Sequence, residues 1–280
     1  MVRLAVRVRR ADAELVLAEL LELAPSGVEE VSMDGGEVVE YAVYGPPGEL
    51  PALPDLRAAA GGALVEISTS EIADDWSERW RSFHRPLVLP GRLTVRPPWE
   101  PPGETPIDLL IDPGQAFGTG AHATTRLCLE LLLGLDPGGS LLDLGCGSGV
   151  LAIAAARLGY RPVLAVDNDP LSVEATAANA RRNEVQLEVR QLDLRTSVVP
   201  VADTVTANLL GPLLLVWAGL MRDVPGRVIA SGLLVEEADR VAAAFAEHGL
   251  SEADRRSSGE WAALLLVAQR RASPAAERAS

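Results

Sequence analysis

The residues best suited to chemistry lie near the middle of the chain. Leu141-Leu142-Asp143-Leu144-Gly145-Cys146-Gly147-Ser148-Gly149 is an apolar run entering a glycine-rich turn, and the residues after it have helical spacing. Glycine reaches backbone angles closed to other residues and lets a ligand lie against the main chain without meeting a Cβ. Such a turn between strand and helix suits a nucleoside-type ligand. Eighteen residues past Gly149, at the end of the next apolar run, stands Asp167 in Val166-Asp167-Asn168-Asp169-Pro170. A carboxylate there can accept both ribose hydroxyls of an adenosine, while Asp169, just ahead of Pro170, is the better helix cap. Asp193, near the end of a third predicted strand, is placed to approach an adenine amine. A dinucleotide fingerprint wants Gly or Ala where this chain has Val150, so a nicotinamide cofactor is disfavoured.

A second unusual stretch lies upstream, Asp112-Pro113-Gly114-Gln115-Ala116-Phe117-Gly118-Thr119-Gly120-Ala121-His122-Ala123-Thr124-Thr125. Three glycines within seven residues, leading into a Thr-rich helix start, describe a loop folded tightly against something bound. Here the sequence resembles the ribosomal protein L-eleven (L11) methyltransferase family, whose hallmark has the form Pro-Gly-x-Ala-Phe-Gly-Thr-Gly-x-His-x-Thr-Thr. Residues 113–125 satisfy it throughout. The resemblance continues through 143–149, 166–170, Ala178-Asn179-Ala180-Arg181-Arg182-Asn183, Ala207-Asn208-Leu209-Leu210-Gly211-Pro212, Ser231-Gly232-Leu233-Leu234 and Gly259-Glu260-Trp261. It covers roughly residues 70–270; over 1–70 only the order of elements matches. The family often has one more residue before the Gly-Pro, so the loop after Asn208 is expected to be short.

The resemblance implies a class I S-adenosylmethionine-dependent methyltransferase that acts on large-subunit ribosomal protein L-eleven, on lysine side chains and the N-terminal amine. It implies cofactor contacts from Thr125, Gly145, Asp167 and Asn208, with Gly147 in the same turn and Thr119 in the upstream loop. The chemistry is in-line displacement by an amine lone pair, so the protein mainly supplies alignment and desolvation. Asn208, a neutral acceptor at a strand end, is the first choice for orienting the amine. Residues 209 and 210 are not proline, unlike the Asn-Pro-Pro-aromatic arrangement that grips planar amides, and a flexible alkyl amine fits better. Phe117 is a candidate wall for the amine channel or a cation–π partner for the sulfonium. His122 is a candidate for closing the pocket, orienting Thr119 or acting as a base, or it is a structural part of the loop. Two other readings stay open: a methyltransferase for another protein or a small amine, and a non-catalytic S-adenosylmethionine-binding module.

These residues need a scaffold, and the chain supplies one in two parts. From about residue 107, strands and helices alternate, the pattern of a parallel sheet covered on both faces. Expected strands are 141–145, 162–167, 187–192, 204–208, 227–231 and 261–268; expected helices are 150–158, 171–182, 212–222 and 235–247, with Gly159 and Gly249 as C-terminal punctuation. The fold class expected is α/β, a Rossmann-like methyltransferase sheet at 107–270 with a small N-terminal α+β domain. Residues 1–70 read as βαββαβ, the ferredoxin-like order, and as the substrate-recognition domain. Residues 71–106 read as a helical and Pro-rich linker, with Trp76 and Trp80 on one helix face. Residues 271–280 read as a disordered tail.

Composition limits the alternatives. The formal charge of −14 argues against a nucleic-acid binder. Residues 1–70 carry five arginines against twelve Asp or Glu, which suits a basic protein partner or plain solubility. All 25 basic side chains are arginine. Cys128 and Cys146 make no redox or metal spacing, and three histidines are too scattered for a metal site. Val2, Leu4, Val6 and Val8 alternate with Arg3, Arg7 and Arg9 instead of building an apolar signal block, so a cytoplasmic protein is expected.

Overall fold

The computed structural model describes residues 2–13, 16–17, 20, 29–32, 37–45, 56–57, 60–71, 85–112 and 122–269. The chain divides into two compact units, residues 1–83 and 84–280. Trp76, Trp80, Phe117, Thr119 and the 271–280 tail lie outside the described residues.

The first unit holds four antiparallel strands, β1 (Val2–Arg9), β2 (Glu29–Ser32), β3 (Val38–Gly45) and β4 (Leu64–Glu71), in the order β2-β3-β1-β4. Residues 13, 16, 17 and 20 are helical between β1 and β2, and residues 56, 57 and 60 between β3 and β4. This is the ferredoxin-like arrangement that the sequence order implies. Alternation sorts the side chains: Leu4, Val6, Val8, Val39 and Tyr41 are buried with Val16, Leu20 and Leu56 in one cluster. On the other face, β1 offers Arg3 and Arg7 to Glu40 of β3, and Arg7 also reaches Glu66 of β4. Burial opposes the charge on Glu40, but the two guanidiniums outweigh it and hold its carboxyl below the ordinary range.

The second unit starts earlier than expected. Residues 85–106 are not a connector: β5 (Leu87–Leu89) and β6 (Leu93–Arg96) pair antiparallel, and β6 pairs in parallel with β7 (Ile107–Leu110). The prolines bracket these strands instead of interrupting them, with Pro86 before β5, Pro90 in the turn, Pro97 and Pro98 after β6, and Pro106 before β7. A dense run of prolines therefore hid three short strands.

The main sheet has seven strands: β8 (Leu141–Leu144), β9 (Val163–Asp167), β10 (Glu188–Gln191), β11 (Thr204–Asn208), β12 (Arg227–Leu234), β13 (Leu250–Ser258) and β14 (Trp261–Ala268). The order is β10-β9-β8-β11-β12-β14-β13, parallel except for β14, which runs antiparallel to both neighbours. Helices α1 (Ala123–Leu133), α2 (Val150–Leu158) and α3 (Pro170–Arg182) cover one face. Helices α4 (Gly211–Leu220) and α5 (Ala238–Ala246) cover the other. Strand order reverses between β8 and β11, and an α/β sheet opens a crevice beyond the carboxyl ends of its strands at such a point. Strand β13 was not foreseen. Its sequence, LSEADRRSS, is mostly exposed along a sheet edge, so it lacks the apolar alternation that marks a half-buried strand. None of the described helices is long and apolar enough to cross a membrane.

Helix α4, which follows Asn208 directly, is seated by α5. Trp217 and Phe245 meet edge to face, with ring centroids 5.3 Å apart. Phe245 is fully buried. Replacing it by alanine is expected to cost about 3–5 kcal/mol, and by leucine less, since a smaller cavity is left. Urea denaturation of the full chain followed by fluorescence checks this; an alanine variant with an unchanged midpoint would contradict the packing.

Candidate active site

The site begins with β8, whose buried leucines carry the chain into the core and end at Gly145. The N–H groups of Gly145 and Cys146 both donate to the carbonyl of Val166, at 2.8 and 3.0 Å, stitching the turn to β9. Gly145, Gly147 and Gly149 all have positive φ, of 77°, 52° and 82°. A Cβ on Gly145 would stand 2.3 Å from Leu209 Cδ2, and one on Gly149 would stand 2.8 Å from Thr176 Cγ2. These positions need glycine for space and for backbone angle together.

Beneath the turn, Asp143 is fully buried. Its carboxylate accepts from Thr206 Oγ1 at 2.7 Å and from the N–H of Ala152 at 3.1 Å, joining β8, β11 and the first turn of α2. Burial pushes its pKa up to about 7, the negative Asp167 adds to that, and the two hydrogen bonds hold it back.

At the end of β9, Asp167 accepts from the N–H of Gly147 at 2.9 Å and of Asp169 at 3.0 Å, one bond to each oxygen. These bonds fix the plane of the carboxylate and leave lone pairs that can take a diol. Asp169 caps α3, accepting from the N–H groups of Leu171 and Ser172. Asp169 is thus the helix cap, as the sequence suggests.

Asp193 sits just past β10. Its carboxylate is held by the guanidinium of Arg195 through two 3.0 Å contacts and by the backbone N–H of Arg195, also at 3.0 Å. Those bonds keep the carboxyl below its ordinary range. An adenine amine approaching Asp193 would share it with Arg195, a neighbour that sequence reasoning missed because only the folded turn brings the pair together.

Across the crevice, Thr125 in the first turn of α1 is almost fully buried, and Asn208 ends β11. Asn208 Nδ2 lies 3.5 Å from Thr125 Oγ1, a contact at the limit of hydrogen bonding. The connection after Asn208 is as short as expected: Leu209 donates its N–H to Ser231, Leu210 is the cap, and α4 begins at Gly211. Gly232, with φ of 81°, lets β12 approach this connection, since a Cβ there would stand 2.6 Å from the carbonyl oxygen of Leu209.

Thr125, Gly145, Gly147, Asp167, Asp193 and Asn208 all line one cleft of about 330 Å³. Leu144, Val150, Leu151, Leu192, Leu194, Leu209 and Leu213 form its apolar wall, and Arg195, Asn168 and Ser172 complete the rim. An apolar slot with a few convergent polar groups suits a nucleoside-bearing ligand in size and chemistry.

Of the roles open to His122, the described residues show a structural one. It is the N-cap of α1: Nδ1 accepts from the N–H of Thr124 at 3.4 Å and lies 2.8 Å from Thr124 Oγ1. Its ring meets Trp261 edge-on, with centroids 4.9 Å apart. Burial lowers the imidazole pKa, with the charge of Glu260 opposing. A folded-state pKa below the unfolded value of about 6.5 means that the capping contribution is present above that pH and lost as pH falls through the folded value. The thermal midpoint of the wild type is therefore expected to fall more steeply between about pH 7 and 5 than that of His122→Asn, which keeps a capping acceptor. Parallel profiles would contradict this.

Residues 56–269 match the family described as Ribosomal protein L11 methyltransferase (PrmA). The Ribosomal protein L11 methyltransferase of Pelotomaculum thermopropionicum is 42% identical over 212 residues, covering 72% of this chain and 69% of that protein. That of Symbiobacterium thermophilum is 34% identical over 264 residues, covering 89% and 84%. The crystal structure of ribosomal protein L11 methylase from Lactobacillus delbrueckii subsp. bulgaricus superposes with a TM-score of 0.60 at 28% identity, over 67% of this chain and 99% of that one. With the cleft, its glycine turn and its strand-end acid in place, the chain belongs to the ribosomal protein L11 methyltransferase family.

Proposed function

We propose that the cleft holds S-adenosylmethionine and that the chain methylates amines of large-subunit ribosomal protein L11, lysine side chains foremost, in the cytoplasm. The observation that carries this reading is the convergence of Asp167, Gly145, Gly147, Thr125 and Asn208 on one cleft in a chain of this family. Asp167 takes the ribose hydroxyls, and the glycine turn takes the amino-acid end. When bound, S-adenosylmethionine supplies a methyl group already activated by its sulfonium charge.

What remains for the protein is the amine. A free lysine amine has a pKa of about 10.4, and it must be neutral to attack. Leu144, Leu209 and Leu213 give the cleft an apolar wall that disfavours the ammonium form. Asn208, at the end of β11 on the cleft, offers its carbonyl oxygen as the acceptor for an incoming amine N–H. No strong base is needed at the site, because the proton can leave to solvent before the amine enters. The acidic residues 1–70 form the module that recruits a basic substrate, by charge.

Purified enzyme, S-adenosylmethionine and L11 are expected to give mass gains of whole methyl groups on L11 lysines. The enzyme has no lysine of its own, so every methylated lysine belongs to the acceptor. Unmodified L11 alongside methylation of a different protein would overturn the substrate assignment while leaving the cofactor intact.

A further inference from the structure

The last turn of helix α3 and its C-cap carry two buried asparagines, Asn179 and Asn183, that behave as a strand would. Asn183 Oδ1 accepts from the N–H of Leu110 at 2.8 Å while its Nδ2 donates to the carbonyl of Leu110, also at 2.8 Å. Asn179 repeats the pattern at Asp112, accepting from its N–H at 3.0 Å and donating to its carbonyl at 3.2 Å. The repeat is geometric: four residues of helix rise about 6 Å, close to the about 6.6 Å spanned by two residues of extended chain. Arg182 braces the pair, donating to Asn179 Oδ1 at 3.1 Å and meeting the Asp112 carboxylate at 3.1 Å.

The two amides differ in where their second donation goes: Asn183 Nδ2 donates to the carbonyl of Asn179 at 2.8 Å, back along the helix. Asn179 Nδ2 also donates to the carbonyl of Ser148, at 3.0 Å, inside the glycine turn. That carbonyl belongs to the peptide whose N–H, on Gly149, closes the turn by donating to Cys146 at 2.8 Å. One turn earlier on α3, Thr176 Oγ1 donates to the carbonyl of Gly147 at 2.9 Å. Helix α3 thus fixes two successive peptide planes of the turn. Asn179 alone shares its amide between that turn and Asp112, where the chain enters the stretch that leads to Thr125.

We propose that Asn179 is a positioning residue for the methyl donor, sharing one buried amide between the Ser148 carbonyl and the main chain of Asp112 so that the glycine turn keeps its ligand-binding shape. This rests on the reading of the cleft as an S-adenosylmethionine site. Without the amide, the Ser148 carbonyl loses a buried donor, and its peptide loses one of the bonds that hold it in the geometry that closes the turn. Asn183 is the comparison: it makes the same two bonds to the same stretch, its further donation stays on the main chain of Asn179, and it does not reach the turn.

The test is calorimetric titration of S-adenosylmethionine into the full chain, with thermal midpoints recorded without donor. Asn179→Ala and Asn183→Ala are both expected to lower the midpoint. Donor Kd is expected to rise about tenfold in Asn179→Ala, the worth of one hydrogen bond, and to stay within about twofold in Asn183→Ala. Asn179→Asp keeps the acceptor facing Asp112 and loses both donors, so it is expected to repeat the loss of affinity and serves if the alanine variant does not fold. Wild-type affinity in either Asn179 variant, or an equal loss in Asn183→Ala, overturns the inference. No binding to the wild type would overturn the reading of the cleft itself, and this inference with it.

Discussion

Gly145 and Leu209 compete for the same few ångströms. The end of β8 and the end of β11 lie so close that Leu209 reaches the position where any side chain on Gly145 would be. The pairing of the two strands brings the glycine turn, a bare stretch of main chain, beside Asn208, the polar side chain at the neighbouring strand end. It follows from the sheet order, because β8 and β11 pair in parallel where the strand order reverses. Gly232 repeats the constraint one strand further on, where β12 must pass the backbone of Leu209.

The surrounding elements keep this arrangement rigid. Asp143, buried under the turn, ties β11 and α2 to β8 through Thr206 and Ala152. Its raised pKa reflects a charge left in a dry place, and a cation bound above it would favour the ionised form. Helix α3 supplies Asp169 as its own cap, Thr176 against Gly147, and the two asparagines that hold residues 110 and 112. The cleft is thus lined by loops whose peptide planes are set by neighbouring helices, which suits a site whose main task is alignment.

The parts of this design set by local pattern were legible in the sequence. Alternation and apolar runs marked the strands that build both sheets' cores, and glycine, strand-end acid and the Thr-rich helix start marked the cleft. Strand β13 was hidden because its residues face solvent on a sheet edge, and β5, β6 and β7 because prolines flank three- and four-residue strands. The boundary between the two units consequently falls at residues 83 and 84, inside the stretch 71–106 that reads as a linker. His122 looked available for chemistry because its type is reactive; its place as a cap depends on where α1 starts and on Trp261, far away in sequence. Asn179 and Asn183 read as ordinary polar positions on a helix, since their partners lie some 70 residues upstream.

The central claim is that the glycine turn and Asp167 on one side, and Thr125 and Asn208 on the other, grip a single adenosyl ligand. A crystal structure of the full chain with S-adenosylhomocysteine tests it most directly. The account expects both ribose hydroxyls within about 2.5–3.2 Å of the Asp167 carboxylate. It expects the amino-acid end against residues 145–147 and the sulfur facing Asn208. A nucleoside bound elsewhere, or one in this cleft with its ribose away from Asp167, would contradict it.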